Sequence, residues 1–407
     1  MTFEETKEKL NGHVMPTYAR FDVALVSGRN ATAKGPDGRE YIDFTSGIGV
    51  NCLGYADEAW AAAVAKQAAA LQHISNLYYS PVQAELAEKL CALSGMSKVF
   101  FCNSGAEANE CALKLARAYG VTSLGEGKTE IVTLKNSFHG RTVTTLAATG
   151  QDEFHRMFTP LTQGFRYAEP SMDGVKAAVT EKTCAVMLEL IQGEGGVVPM
   201  DGEFVKDLRA FCLERRILMI VDEVQTGVGR TGSFYCYQDY GVQPDVVTSA
   251  KALGGGLPMG ACLCMEAFGG VLGAGMHGST FGGNPVACAG ALAVLKRVGD
   301  PVFLAEVRKK GDYLAGRLKE MKGVASVRGM GLMLGAKPEK GTPGEIAAGC
   351  AEKGLLILTA KDVLRFLPPL TITKQELDKG LSILQRVLDG VPPQSGRAVS
   401  QGKNSEL

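Results

Sequence analysis

Excess charge of either sign is missing from this sequence. Its 407 residues hold 43 Lys and Arg against 43 Asp and Glu, which leaves no net charge. That excludes the broad basic footprint of a nucleic-acid binder and the polybasic patch of a membrane-surface protein. Histidine is scarce, at five residues, and none of them is grouped at metal-ligand spacing. The eleven cysteines are an odd number, form no C-x-x-C, and in several cases (Cys184, Cys212, Cys262, Cys264) sit inside apolar runs. They read as small buried hydrophobes in a reducing compartment rather than as disulfides or zinc ligands. No run approaches the roughly 18 apolar residues of a membrane span. The opening MTFEETKEKLNGH lacks the basic start and apolar stretch of a signal peptide. The expected setting is cytoplasmic, with no metal, no nucleic-acid partner and no membrane.

The composition that remains, 45% hydrophobic and 21% charged, is that of a folded globular chain. At about 150 residues per domain, two or three domains are expected. In the middle of the chain, helix-period stretches alternate with short continuous apolar runs, the pattern of an α/β domain with a mostly parallel sheet. The runs are Lys98–Cys102, Glu130–Leu134, Cys184–Leu190, Ile217–Asp222, Asp245–Ser249 and Ala261–Met265. Ala108, Cys111, Ala112, Leu115, Ala116 and Tyr119 recur at helical spacing. Past Pro301 the texture becomes α+β. A long charged helix precedes short strands near Val327, Leu332, Leu355–Thr359 and Leu364–Leu367, with a helix near Ile346–Glu352 among them. A last helix is opened by the capping box Thr373-x-x-Glu376. The expected organisation is an N-terminal segment 1–56 packing with the small domain, a large domain 57–298, a small domain 299–390 and a disordered tail 391–407.

Two nucleotide-like motifs fail on context. Gly127-Lys128-Thr129 follows a helix and precedes a strand, the reverse of a phosphate loop, and Thr122 stands where that loop needs glycine. Gly227–Gly232 fits G-x-G-x-x-G, but the aromatic, Pro244-broken stretch after it is a poor helix to receive a pyrophosphate.

Three other features converge on one chemistry. Lys251 follows the strand run DVVTS and precedes a glycine run, where open α/β sheets bind ligands. Taken alone it reads equally as a snorkelling surface lysine; as a functional group it is an amine able to bond a carbonyl cofactor. Asp222 ends the apolar strand LMIV, a costly place for a carboxylate unless a cation or protonated donor meets it. A protonated pyridine nitrogen is such a partner, and a turn-capping role is the alternative. Ser104-Gly105-Ala106-Glu107 fits a capping box, and its small residues also leave helix N–H groups open to a phosphate. An aldehyde anchor, a ring partner and a phosphate cup are together what pyridoxal phosphate requires.

Six ordered motifs then resemble one family. Asn103–Asn109 (NSGAEAN), Phe138–Thr142 (FHGRT), Gln192–Gly196 (QGEGG), Asp222–Gly227 (DEVQTG), Lys251–Gly256 (KALGGG) and Ser279–Asn284 (STFGGN) resemble the class III pyridoxal-phosphate aminotransferases, from about Met15 to Gly390. The resemblance implies a fold-type I transferase: an α/β large domain with a mainly parallel seven-stranded sheet, a smaller α+β domain, and a homodimer with shared active sites. It implies pyridoxal 5'-phosphate as cofactor, with Lys251 bonded to it and Asp222 at its ring nitrogen. Gln225 would lie near the ring hydroxyl, Ser104, Gly105 and Ala106 at the phosphate, and Phe138 over the ring face. Ser279 and Thr280 belong to a loop whose Thr280 reaches the neighbouring subunit's cofactor phosphate. Within the family, where branches acting on ornithine, succinylornithine, succinyl-diaminopimelate or 4-aminobutyrate are the alternative, the motifs are most similar to the branch that transaminates N2-acetyl-ornithine with 2-oxoglutarate. That implies Arg141 as clamp for the distant carboxylate, Arg365 for the α-carboxylate of glutamate, and Glu194 as a switch pairing with Arg365. Tyr18 and Asn76 would line the substrate entrance. One departure stands out: the family usually has Glu-Pro-Ile before Gln192, and here Glu189-Leu190-Ile191 replaces it.

Overall fold

A computed structural model describes residues 1–391; the expectation for the tail therefore falls, from residue 392 on, outside the described residues. The chain divides into two compact units, Glu58–Arg308 and a second made of Met1–Asp57 with the chain from Lys309 onward.

In the first unit the apolar runs form one seven-stranded sheet. Its strands are β1 (Lys98–Cys102), β2 (Glu130–Leu134), β3 (Phe165–Ala168), β4 (Thr183–Leu188), β5 (Leu218–Asp222), β6 (Val246–Ser249) and β7 (Gly260–Cys264), in the order β1-β7-β6-β5-β4-β2-β3. Only β7 runs against the rest: its pairings with β1 and β6 are antiparallel and the others are parallel. Continuous apolar sequence gives strands buried on both faces, as parallel sheets covered by helices require. Leu218, Met219, Ile220 and Val221 of β5 are each at most 1% exposed. Burying side chains of this size contributes about 1.5–3 kcal/mol apiece, which offsets the cost of ending the same strand on a buried carboxylate.

The helix Gly105–Tyr119 covers this core with Cys111, Ala112, Leu115 and Ala116, against Ile131, Ala185, Met187, Ile220 and Cys262 of the strands. Strand β3 was not among the runs read from sequence. It is a short edge strand, FRYA, only partly buried, so it lacks the continuous apolar signature of its neighbours. Strand β4 stops at Leu188, two residues short of the expected Leu190, which releases Glu189 into the following loop.

In the second unit, Val324–Met330, Met333–Pro338, Val363–Phe366 and Leu358–Ala360 form an antiparallel sheet. The run expected as one strand over Leu355–Thr359 is divided between two sheets. Leu355–Leu356 pairs parallel with Glu40–Asp43 of the N-terminal segment, and Leu358–Ala360 pairs with Val363–Phe366. The Thr373/Glu376 capping box opens the helix Lys374–Asp389. Glu376 also accepts from Asn30 Nδ2 at 2.6 Å and from the Ala31 N–H at 3.2 Å, so one cap fastens the N-terminal segment to this unit.

All eleven cysteines are free thiols and ten are buried. Among the described residues no cluster of His, Cys, Asp and Glu could hold a metal ion, and no helix is long and apolar enough to cross a membrane. Gly127-Lys128-Thr129 is a turn into β2. Gly227–Gly232 forms buried turns followed by a helix of only four residues, Tyr237–Tyr240.

Candidate active site

Parallel strands deliver their carboxyl ends to one edge of a sheet, where open α/β folds bind ligands. Five loops leave that edge here: Asn103–Ala106 after β1, Phe138–Arg141 beyond β2, Glu189–Glu194 after β4, Asp222–Gln225 at the end of β5, and Lys251 beyond β6. The sheet thus collects five of the six motifs on one rim.

Asp222 is 4% exposed and its carboxylate accepts three donors. Oδ2 takes Asn109 Nδ2 at 2.8 Å and lies 2.8 Å from His139 Nδ1, while Oδ1 takes the Val224 N–H at 3.0 Å. A carboxylate has about four lone-pair sites, so one is left for a protonated ring nitrogen. Asn109 comes from the first turn and a half of the helix Gly105–Tyr119, and its amide also donates to His139 O at 2.7 Å. Sequence reasoning gave no role to Asn109 or His139, although both lie inside quoted motifs. For Asn109 the signal was a polar residue on the buried side of a helix; His139 lies in a loop, where periodicity gives none.

Register places Asp222 opposite Thr248, three residues before Lys251. Lys251 has φ +44, a conformation non-glycine residues seldom adopt, and begins the short 3-10 turn Lys251–Gly254. Such strain concentrates at functional sites. Ser104 caps the helix Gly105–Tyr119, its hydroxyl accepting from the Glu107 N–H at 3.2 Å. The expected capping box is only half formed. The Glu107 carboxylate turns instead to the Asn103 N–H and side-chain amide, at 2.7 and 2.8 Å, one residue further back. Neither half occupies the N–H groups of Gly105 and Ala106, which have no intrahelical acceptor at a helix start and remain suited to an anion.

Gln225 is buried and its Nε2 lies 3.4 Å from Glu194 Oε1. Phe138 is half-buried, edge-on to Phe154 at 5.8 Å, and exposed Arg141 spreads over both rings, 4.6 Å from the Phe154 centroid and 5.8 Å from that of Phe138. Ser279 accepts from Asn103 Nδ2 at 3.2 Å, which ties the glycine-rich loop to β1, whereas Thr280 beside it is exposed. Asn76 donates to Gly282 O at 2.8 Å and so holds that same loop. In the second unit, Arg365 sits buried on the strand Val363–Phe366 and Tyr18 is 63% exposed, with Arg20 over its ring.

A family model described as "Aminotransferase class-III" matches residues 14–388. The chain belongs to the class III aminotransferases. It is 46% identical over 391 residues to acetylornithine aminotransferase of Haemophilus ducreyi, covering 95% of this chain and 99% of that one. It is 43% identical over 402 residues to succinylornithine transaminase of Yersinia pseudotuberculosis, covering 95% and 97%. Among solved structures it is similar to N-acetylornithine aminotransferase from Stenotrophomonas maltophilia, with TM-score 0.80, 37% identity and coverage of 94% and 98%. The fold is therefore that of the fold-type I transferases, and the enzyme depends on pyridoxal 5'-phosphate. The residues present fit that cofactor. The buried Asp222 carboxylate has room for one more donor, the helix start can take a phosphate, and a lysine stands at the same rim.

Proposed function

We propose that this aminotransferase converts N2-acetyl-L-ornithine and 2-oxoglutarate to N-acetyl-glutamate 5-semialdehyde and glutamate, a step of arginine biosynthesis, as a cytoplasmic homodimer with shared active sites. The observation that carries the catalytic assignment is the buried Asp222 carboxylate, organised by Asn109, His139 and Val224 at the rim where Lys251 stands.

When bound, pyridoxal 5'-phosphate supplies an electrophilic carbonyl and an electron-accepting ring. Asp222 would present its negative charge to the ring nitrogen, and its bonds to Asn109, His139 and the Val224 N–H hold that carboxylate in place. The N–H groups of Gly105 and Ala106, with the Ser104 hydroxyl, bind the phosphate at the helix start. Phe138 covers the ring face and Gln225 lies beside its hydroxyl. Lys251 would anchor the cofactor, and its Nζ, when free, would serve as general base for the proton on the substrate δ-carbon.

Arg141 clamps the carboxylate remote from the reacting amine, a planar pairing suited to guanidinium. Arg365 holds the α-carboxylate in the glutamate half of the cycle, and Glu194 neutralises it in the other half. Tyr18 shields the entrance. Exposure of Thr280 on the single chain supports its serving, with Ser279, the partner's phosphate site. The related reading, preference for N-succinyl-ornithine, is favoured by the similarity to succinylornithine transaminases of Yersinia.

Two experiments test the proposal. Borohydride trapping and peptide mapping should place the pyridoxyl group on Lys251; a label elsewhere ends the catalytic assignment. Parallel turnover of acetylornithine, succinylornithine, ornithine and 4-aminobutyrate should favour the first, and a strong preference for free ornithine would overturn the substrate.

A further inference from the structure

The reaction gives no task to Glu189, which leaves β4 directly into the rim and is 5% exposed. One of its oxygens, Oε1, accepts the main-chain N–H of Phe138 at 2.8 Å; the other, Oε2, accepts that of Gly193 at 3.1 Å. These amides belong to separate loops, one beyond β2 and one after β4. Loop N–H groups buried without secondary structure need such acceptors, and an ionised acceptor makes the stronger bond.

Gly193 is itself in close contact with the site. A Cβ there would fall 2.4 Å from Gln225 Oε1, so the Gln225 amide lies flat on the Gly193 main chain, and Gln225 in turn reaches Glu194. Resting on the roles assigned above to Phe138, Gln225 and Glu194, we propose that Glu189 is a positioning residue. Its single carboxylate locks the aromatic over the cofactor ring and the loop bearing the substrate switch into one frame.

The groups facing Glu189 explain how finely that lock is balanced. Burial pushes its carboxyl up to about 7 and Asp222 adds to the rise, while His139 and the two N–H donors oppose it. The ionised form accepts both N–H groups. The protonated form turns one acceptor into a donor and releases one loop.

Glu189→Gln keeps one acceptor oxygen and turns an amide against the other N–H. In the cofactor-free protein, hydrogen exchange at Phe138 or Gly193 should quicken roughly tenfold or more, while Ala112 in the core helix keeps its protection. The dissociation constant for pyridoxal phosphate should rise by a similar factor. If Glu189→Gln fails to fold, the wild type supplies the same test: the protection factor at Phe138 or Gly193 should fall as pH drops from about 8 to about 6. Unchanged protection at both amides in a chain that binds pyridoxal phosphate overturns this inference alone. A wild-type chain that takes up no pyridoxal phosphate overturns the functional reading and this inference with it.

Discussion

His139 Nδ1 and Asp222 Oδ2 meet at 2.8 Å in a pair shielded almost wholly from solvent. Among the described residues His139 Nε2 is buried without a hydrogen-bond partner. The imidazole is therefore held by its one bond to the carboxylate and by its packing. That bond fixes the orientation of the Asp222 carboxylate.

Replacing His139 by Phe keeps most of the volume and removes the donor. A hydrogen bond to a charged group contributes about 1.5–3 kcal/mol. The dissociation constant of pyridoxal phosphate should rise about ten- to hundredfold, with turnover falling alongside. Titration of the cofactor-free protein measures the first directly, and unchanged affinity would remove His139 from the site.

Gly105 offers a sharper steric test. A Cβ on it would lie 2.7 Å from Val224 Cγ1, closer than carbon atoms pack. The helix start assigned to the phosphate and the segment that bears Asp222 therefore touch through this missing methyl. Gly105→Ala should cost about 1–3 kcal/mol of stability through overpacking and weaken cofactor binding. Adding Val224→Ala should restore much of both. Denaturant midpoints of the two single variants and the double variant give the coupling energy, and purely additive losses would show that the contact does not govern the site.

Sequence exposed the fold wherever periodicity and burial agree. Lys98–Cys102 and Glu130–Leu134 coincide with β1 and β2: short apolar runs rich in Val, Ile and Phe, too brief for a helix, favour strands. Phe165–Ala168 escaped because an edge strand needs only one buried face. Leu355–Thr359 misled because a run of apolar residues does not disclose that its two ends pair in different sheets. In the site, Lys251 and Asp222 were legible as charges at strand ends. Asn109, His139 and Glu189 were not, since the bonds that join them to other motifs, Asn109 to Asp222 across 113 residues, His139 to Asp222 across 83 and Glu189 to Phe138 across 51, exist only on the folded rim.

Glu223 follows Asp222 and is fully buried, with Oε1 accepting the Tyr237 N–H at 2.9 Å and Oε2 the Thr226 hydroxyl. Burial pushes its carboxyl from 4.5 up to about 7. Between those values the folded chain holds a proton that the unfolded chain has lost, so stability falls as pH rises through that window. The penalty is complete above about pH 7 and on the order of 3 kcal/mol. Glutamine at this position can accept from Tyr237 and donate to Thr226. Glu223→Gln should therefore flatten the stability profile between pH 5 and about 7.5, read by denaturant unfolding at stepped pH. An unchanged slope would show that the proton resides elsewhere.

Arg141 gives a prediction that separates the two halves of the reaction. Its guanidinium lies 4.6 Å from the Phe154 centroid, and Phe154 meets Phe138 edge-on at 70°. The two rings hold the guanidinium in place while Arg141 stays exposed. If Arg141 clamps the remote carboxylate of acetylornithine, Arg141→Lys loses the paired geometry and should raise KM for that substrate about tenfold or more. The glutamate half-reaction, assigned to Arg365, should change little. Phe154→Leu removes a cation–π contact of about 0.5–2 kcal/mol and should move the same KM in the same direction by a smaller factor. Single-turnover kinetics of each half-reaction distinguish this from general damage. Equal losses in both halves would mean that Arg141 supports the structure of the rim rather than selecting the substrate.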